Sequence, residues 1–184
     1  MNVKANDTEW EKFSHLFKRI EIPAHTELLT QGQFSDEAFI ILKGCLRCFT
    51  NDGQDITYQF FFENEFFFSV ESFLNDKPSS FSIESIEPCI VYSISKNNFH
   101  KIITSSEKIQ KQINEFSLHT IAHFNDILAS RLEDDPEKKY LKIQKDNPKL
   151  LLRVPQYYIA SFLGISTKTL SQVQNKYNQP KNLS

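Results

Sequence analysis

The chain has 184 residues, 40% of them apolar and 24% charged, with a net charge of −2. This composition is ordinary for a globular protein of one or two domains and is enough for a real core, which excludes disorder along most of the length. The charge is uneven: residues 1–130 carry 11 Lys/Arg against 18 Asp/Glu, whereas residues 131–184 carry 10 against 5. A pI of about 6.2 therefore conceals a basic C-terminal third, and binding to nucleic acid depends on such a local field. No stretch approaches the roughly 20 apolar residues of a spanning helix, and the charged opening MNVKANDTEWEKF lacks the apolar run of a signal peptide. Three cysteines, an odd number, suit a reducing compartment better than a disulfide framework. A cytoplasmic protein without membrane contact is expected.

In chain order, residues 8–19 (TEWEKFSHLFKR) set Trp10, Phe13, Leu16 and Phe17 at helical spacing behind a Thr8 cap, which predicts a helix. From Glu27 to Ile94 the text turns to short apolar runs between turn signals such as Gly32, Lys43-Gly44, Asn51-Asp52-Gly53, Glu63-Asn64-Glu65 and Glu87-Pro88. That spacing predicts an antiparallel sandwich or barrel. Within it, Tyr58 to Phe68 (YQFFFENEFFF) sets two Phe triplets around a polar turn, predicting adjacent strands with rings on both faces. The rings read as core and inter-domain packing, or alternatively as an apolar effector pocket.

From Asn97 the period is helical again. Ile109, Ile113, Phe116, Ile121, Phe124, Ile127, Leu128 and Leu132 cover an arc of roughly 200°, wider than one packing surface requires. Such a helix needs two partners. Packing between its own barrel and the same helix of a second subunit predicts a two-fold dimer, with Ile113, Phe116, Thr120, Phe124 and Ile127 at the interface; the alternative is a helix sandwiched inside a monomer. Asp135 is expected to cap a basic helix from Pro136 to Lys145, interrupted at Asn147-Pro148.

Val154 to Tyr177 (VPQYYIASFLGISTKTLSQVQNKY) carries the most specific pattern. A helix-turn-helix needs a small residue where its helices cross, here Ala160, and a turn residue tolerant of the left-handed conformation, here Gly164. Ile165 fills the corner, Ser166 caps the second helix, and Leu170 and Val173 turn inward. Thr167, Lys168, Ser171, Gln172 and Asn175 then face outward, on a short polar surface with no acid from Val154 to the end. A helix entering the major groove requires such a face. The expected DNA-binding residues are Gln156, Ser166, Thr167, Lys168, Thr169, Ser171, Gln172, Asn175 and Lys176, with Lys138, Lys139, Lys142, Lys145, Lys149 and Arg153 as phosphate contacts.

The whole chain, in order, resembles the cyclic-AMP receptor/Fnr (Crp/Fnr) family of transcription regulators. The resemblance rests on Ile22 to Arg47 (IPAHTELLTQG..SDEAFIILKGCLR), on Asn51 to Phe67 (NDGQDITYQFF..NEFF) and on the helix-turn-helix. It implies an α+β architecture: a cyclic-nucleotide-binding-type, jelly-roll-like β-roll, a long dimerisation helix, and a C-terminal winged-helix-like helix-turn-helix whose wing is short or absent. The corresponding boundaries are 1–108 for the effector domain, 109–135 for the dimerisation helix and 136–184 for the DNA-binding domain. It further implies double-stranded DNA, a second copy of the chain and RNA polymerase as partners.

The chain departs from the family in its effector region. Members that bind cyclic AMP hold the cyclic phosphate with an Arg-Ser or Arg-Thr pair, and an Arg fork suits a phosphate. Here Ser79-Ser80 stands in that place and Glu71 is the nearby acid. Phe67, Ser69, Glu71, Ser72, Ser79 and Ser80 are the candidate effector-pocket residues, but cyclic AMP is not the expected effector and no cofactor is expected. The reading face also lacks the Arg or Glu common in the family. A sensor or interaction protein of the same fold that has lost sequence-specific DNA binding is thus the alternative function.

Other constellations carry less. Cys45 and Cys48 have metal-ligand spacing, but residues three apart on a strand point to opposite faces, and iron–sulfur binding of the Fnr kind needs four cysteines. His119 and His123, four apart, read as interface histidines before metal ligands. The strand region offers only His25 towards a cupin-like metal site, and no P-loop or Ser–His–Asp spacing occurs, so no enzyme is expected.

Overall fold

The computed structural model describes residues 8–132 and 135–178. Helix α1 (Thr8–Glu11) is one turn long and is followed by a 3-10 turn at Ser14–Leu16. The helix predicted to reach residue 19 ends early because strand pairing competes for its last residues: β1 (Lys18–Ile22) pairs antiparallel with β8 (Cys89–Ser95), Lys18 opposite Ser93 and Ile22 opposite Cys89. The apolar residues keep their task, since Trp10, Phe13, Leu16 and Phe17 pack against a cluster of Ala38, Phe73, Ile94, Ile102 and Ile109. Thr8, expected as the cap, is itself the first residue of the helix, and what precedes it lies outside the described residues.

Two four-stranded antiparallel sheets form the β-roll. One runs β1-β8-β3-β6, with β3 at Glu37–Lys43 and β6 at Phe66–Phe67; the other runs β2-β7-β4-β5, with β2 at Glu27–Leu29, β7 at Ser82–Ser85, β4 at Leu46–Thr50 and β5 at Ile56–Phe61. Ile22, Leu29, Phe39, Ile41, Leu46, Phe67, Ile83 and Val91 fill the space between them. The two Phe triplets are not on neighbouring strands as expected. β5 pairs with β4 and β6 with β3, because the Glu63–Glu65 turn carries the chain from one sheet to the other, with Asn64 at a left-handed φ of 68°. The rings consequently serve three cores. Phe61 and Phe67 face the roll interior, Phe66 and Phe68 the helices behind it, and Phe60 and Phe62 the C-terminal helices.

Gly44 turns β3 into β4 at φ +108°, and a Cβ there would stand 2.9 Å from the Cys89 Cα. Backbone strain and backbone crowding act together at this position. Gly44→Ala is expected to lower the unfolding free energy by about 1–3 kcal/mol, read from urea denaturation; a loss below about 0.5 kcal/mol would contradict the packing described.

Helix α2 (Val70–Asn75) is capped by Ser69, whose side chain accepts from the Ser72 N–H. After α3 (Lys96–Ser105) comes the 26-residue α4 (Glu107–Leu132). Its first turns bury Ile109 against the roll, but Leu118, Ile121, Phe124, Leu128 and Leu132 are exposed. The broad apolar arc is thus divided along the helix as well as around it. Four helices follow: α5 (Pro136–Asp146), α6 (Pro148–Arg153), α7 (Gln156–Leu163) and α8 (Thr167–Asn178). Asp135 caps α5 by accepting from the Glu137 N–H, with Pro136 in the first turn, as the sequence predicts. These helices share a core with the outer face of the β4–β5 sheet, where Cys45, Phe60, Phe62 and Ile86 join Tyr140, Ile143, Leu150, Val154, Tyr158, Ile159 and Leu163.

Candidate nucleic-acid interface and effector region

The α7–α8 corner follows from its sequence. Gly164 ends α7 at φ 66°, ψ 36°, and its N–H and that of Ile165 return to the Ser161 and Ala160 carbonyls, closing the last turn. Ala160 is buried where the helices meet, and Leu170 and Val173 turn into the core. Ser166 Oγ accepts from the Thr169 N–H at 3.0 Å and so caps α8. Thr167, Lys168, Gln172 and Asn175 are exposed, and Ser171 and Thr169 are half-buried. No acid stands in the first turn of α8, so no carboxylate offsets the positive end of its dipole beside the Ser166 cap. Gln156, at the start of α7, is tied to the second helix: it donates to Gln174 at 2.7 Å and accepts from Ser171 at 3.4 Å. Lys176 pairs with Glu137 at 2.6 Å, and Tyr177 donates to the same carboxylate.

Two of the six predicted phosphate contacts are corrected. Lys139 is 7% exposed, and its ammonium donates to the Leu163 carbonyl at 2.9 Å and to the Arg131 carbonyl at 3.3 Å. It joins the C-terminal ends of α7 and α4, where the helix dipoles favour a cation. Arg153 forms a two-pronged pair with Glu63 at 2.7 and 2.8 Å, also pairs with Glu87, and lies 5.2 Å from the Phe62 ring centre. The Arg153 hydrogen bonds hold the Glu63 carboxyl down at about 2 and raise the Arg153 pKa above its usual value. Lys138, Lys142, Lys145 and Lys149 are exposed; Lys142 stands 3.5 Å from Asp146 on its own helix.

Arg47, which carries no expectation from the sequence, is the centre of the seam between the halves. On β4 and 2% exposed, its guanidinium lies between the rings of Phe49 and α7's Tyr158, 4.0 and 3.7 Å from their centres. It donates to Glu84 at 2.8 Å, to both oxygens of Asp55 and to Thr57 Oγ1. Tyr158 completes the net by donating to Glu84 at 2.9 Å, and burial pushes its phenol upward. Beside this net, Ser161 of α7 accepts from the Thr57 N–H at 3.0 Å and donates to the Asp55 carbonyl at 2.9 Å, while Arg131 donates to the Thr57 carbonyl. Apart from Phe49 on its own strand, its partners come from three separate segments, around Asp55–Thr57, Glu84 and Tyr158, so the local sequence does not mark Arg47.

In the effector region Glu71 meets Ser80 and Ser69 meets Ser72, and the polar groups of the candidates are engaged with one another or with neighbouring backbone. Glu71 accepts from the Ser80 N–H at 3.0 Å and from its hydroxyl at 2.7 Å. The remaining loop amides are also engaged: Lys77 N–H with the Glu71 carbonyl, Ser79 N–H with the Gln33 carbonyl and Phe81 N–H with Ser79 Oγ. Ser69 caps α2, and Ser72 Oγ accepts from the Ser35 N–H at 2.6 Å. Phe67 is not on a pocket wall; it stacks on Phe39 and Phe61, centres 5.0 and 5.3 Å apart, inside the roll. A carboxylate thus occupies the place where an anion would need donors.

Of the dimer-interface candidates, Ile113 and Phe116 turn towards their own β-roll, Phe116 meeting Phe66 edge-on at 6.0 Å. Thr120 and Ile127 are half-buried and Phe124 is exposed. Leu118, Ile121, Leu128 and Leu132 form the remainder of the exposed seam. Burial raises the thiol pKa values of all three cysteines, Cys48 to about 12 and Cys89 to about 11. Among the described residues, no three His, Cys, Asp or Glu side chains gather, and no helix is long and apolar enough to cross a membrane. His119 is exposed; the His123 side chain lies outside the described residues.

Residues 19–106 match the cyclic nucleotide-binding domain family. The fold of the chain is that of the c-di-GMP-responsive global regulator CLP of Xanthomonas campestris, with a TM-score of 0.73 at 16% identity, over 92% of this chain and 90% of that one. FixK2 of Bradyrhizobium japonicum gives 0.72 at 14% identity, over 87% and 83%. The catabolite activator protein of Thermus thermophilus gives 0.58 at 18% identity, over 95% and 84%. No curated protein sequence matches the chain.

Proposed function

We propose, from the match of residues 19–106 to the cyclic nucleotide-binding domain family and from the fold shared with CLP and FixK2, that the protein is a homodimeric transcription regulator of the Crp/Fnr type that binds double-stranded DNA through α7 and α8. One observation carries the reading. The α7–Gly164–α8 corner presents Thr167, Lys168, Gln172 and Asn175 to solvent on a helix whose first turn holds no acid. Gln172 has the two-pronged amide that matches adenine in the major groove, and Lys168 reaches guanine or phosphate. A two-fold dimer pairs two such helices, so the operator is an inverted repeat with half-sites about one helical turn apart. A transcriptional role also implies contact with RNA polymerase. Lys138, Lys142, Lys145 and Lys149 remain as the phosphate-facing cations, which makes affinity salt-dependent.

The protein acts either without a ligand or with an effector other than cyclic AMP. Supporting this, the Glu71 carboxylate already takes the Ser80 N–H and hydroxyl, and a cyclic phosphate would have to displace it without gaining an arginine. A second reading, a sensor without sequence-specific DNA binding, draws support from the internal use of Lys139 and Arg153.

Selection from a random double-stranded DNA pool at about 50 and 200 mM salt tests the reading. A palindromic motif is expected, with weaker recovery at the higher salt. The Lys168→Ala/Gln172→Ala protein should retain its dimer and lose about 10²-fold or more in preference for that motif, at about 1–3 kcal/mol per lost base contact. Unchanged selectivity in the double variant would place base reading on other residues, whereas recovery of no motif by the unmodified chain at either salt would favour the sensor reading.

A further inference from the structure

Two kinds of contact hold α8 against its surroundings. Leu170 and Val173 share an apolar core with Ala160 and Leu163, and such packing fixes the separation of helices better than their rotation, because it is non-directional. Directional bonds reach α8 at its end and at its middle. At the end, Lys176 and Tyr177 meet Glu137, about two turns away from Lys168. At the middle stands Gln156, the first residue of α7. Its Nε2 donates to Gln174 Oε1 at 2.7 Å, and its Oε1 accepts from the Ser171 hydroxyl at 3.4 Å. Pro155 precedes it and restricts the backbone from which the amide projects.

Ser171 and Gln174 are three apart, so they lie one above the other on a single edge of α8. Asn175, Lys168 and Gln172 follow from that edge in one sense, roughly 40°, 60° and 100° round from Ser171. A grip at two points of the edge therefore sets the rotation of the whole reading face. With side-chain tips about 5–6 Å from the axis, a roll of about 20° displaces each by about 2 Å. A hydrogen bond to a base edge does not survive such a shift. We propose that Gln156 is a positioning residue, which fixes the roll of α8 through Ser171 and Gln174 and so governs how sharply Gln172 and Lys168 discriminate between sequences, without touching a base itself. The inference rests on the DNA-binding reading above. In the free protein these bonds lie at the surface, where water competes and their contribution to stability is small. DNA closing over the edge excludes that water and strengthens them. Gln156 thus acts on selectivity more than on folding.

The test compares the full chain with its Gln156→Ala, Gln174→Ala and doubly substituted forms. Affinity is measured at one salt concentration for the operator returned by the random-pool selection and for a scrambled duplex of equal length. Each single substitution should lower the ratio of the two affinities about tenfold, the scale of one misplaced base contact. The double variant should lose no more than Gln156→Ala alone, because both changes remove the same bond. Affinity for the scrambled duplex and its salt dependence should stay as they are, and the melting temperature should move by less than about 3 °C. Gln174→Glu keeps an acceptor for Gln156 Nε2, so it should weaken both duplexes alike and preserve the ratio. Losses that add in the double variant would make the two residues independent DNA contacts. An equal loss on the scrambled duplex would make Gln156 a phosphate contact, and a larger fall in melting temperature would make the bonds a tie of the fold. Any of these overturns the proposal. A preference that Gln156→Ala retains sinks this proposal alone, whereas an unmodified chain without preference between duplexes overturns the DNA-binding reading and this proposal with it.

Discussion

Arg47→Ala should lower the unfolding free energy by about 3–5 kcal/mol, the range seen when one member of a buried ion pair is removed. Several groups depend on that guanidinium. Glu84, with a side chain only 14% exposed, loses its cation, and the Phe49 and Tyr158 rings lose the plane between them. Asp55 is 46% exposed and can turn to water, so its share of the loss is small. Arg47→Lys is not a mild replacement, because an ammonium cannot reproduce two-pronged bonding to Asp55 while stacked between rings. Urea denaturation followed by circular dichroism measures the loss. Arg47→Met, which keeps much of the stem's packing, separates charge from volume: a loss confined to the alanine variant would show that the ion net adds little.

Ile121→Glu/Leu128→Glu on α4 should give a folded monomer. These residues are seven apart on one helix face and 59% and 57% exposed, so the protomer does not depend on them for its own core. Circular dichroism should be unchanged and sedimentation equilibrium should lose the dimer, since two carboxylates per chain would be placed in a close apolar seam. Operator affinity should then fall about 10²-fold or more, because each half-site must be held without the other. A double variant that still sediments as a dimer would place the self-contact elsewhere on the molecule.

The sequence makes the second of these results easier to foresee than the first. The α4 seam, the Asp135 cap and the Gly164 corner are written in residues a few positions apart, where helical period and capping chemistry act locally. Gly164 needs only a left-handed turn to be recognised, and Ser166 only the N–H three residues on. Arg47 is different: Asp55, Glu84 and Tyr158 lie 8, 37 and 111 residues away, and only the folded seam brings them together. Lys139 and Arg153 mislead for the same reason. As letters they belong to a basic stretch, and tertiary partners turn one into a tie between helix ends and the other into an ion pair with Glu63. The Phe triplets lie between these cases. Their burial is legible, but the change of sheet depends on a turn at Asn64 that no apolar period encodes.

The engagement of β5 by the helices bears on the protein's solubility. β5 is the outer strand of its sheet, and Thr57 presents there a free N–H and carbonyl that Ser161 and Arg131 cover. An uncovered strand edge beside Phe60, Phe61 and Phe62 is a template for pairing with other chains. The helical half is therefore also a guard against aggregation. Any swing of α7 and α8 that frees this edge exposes an adhesive strand, which favours small motions of the reading head about the seam over its full release.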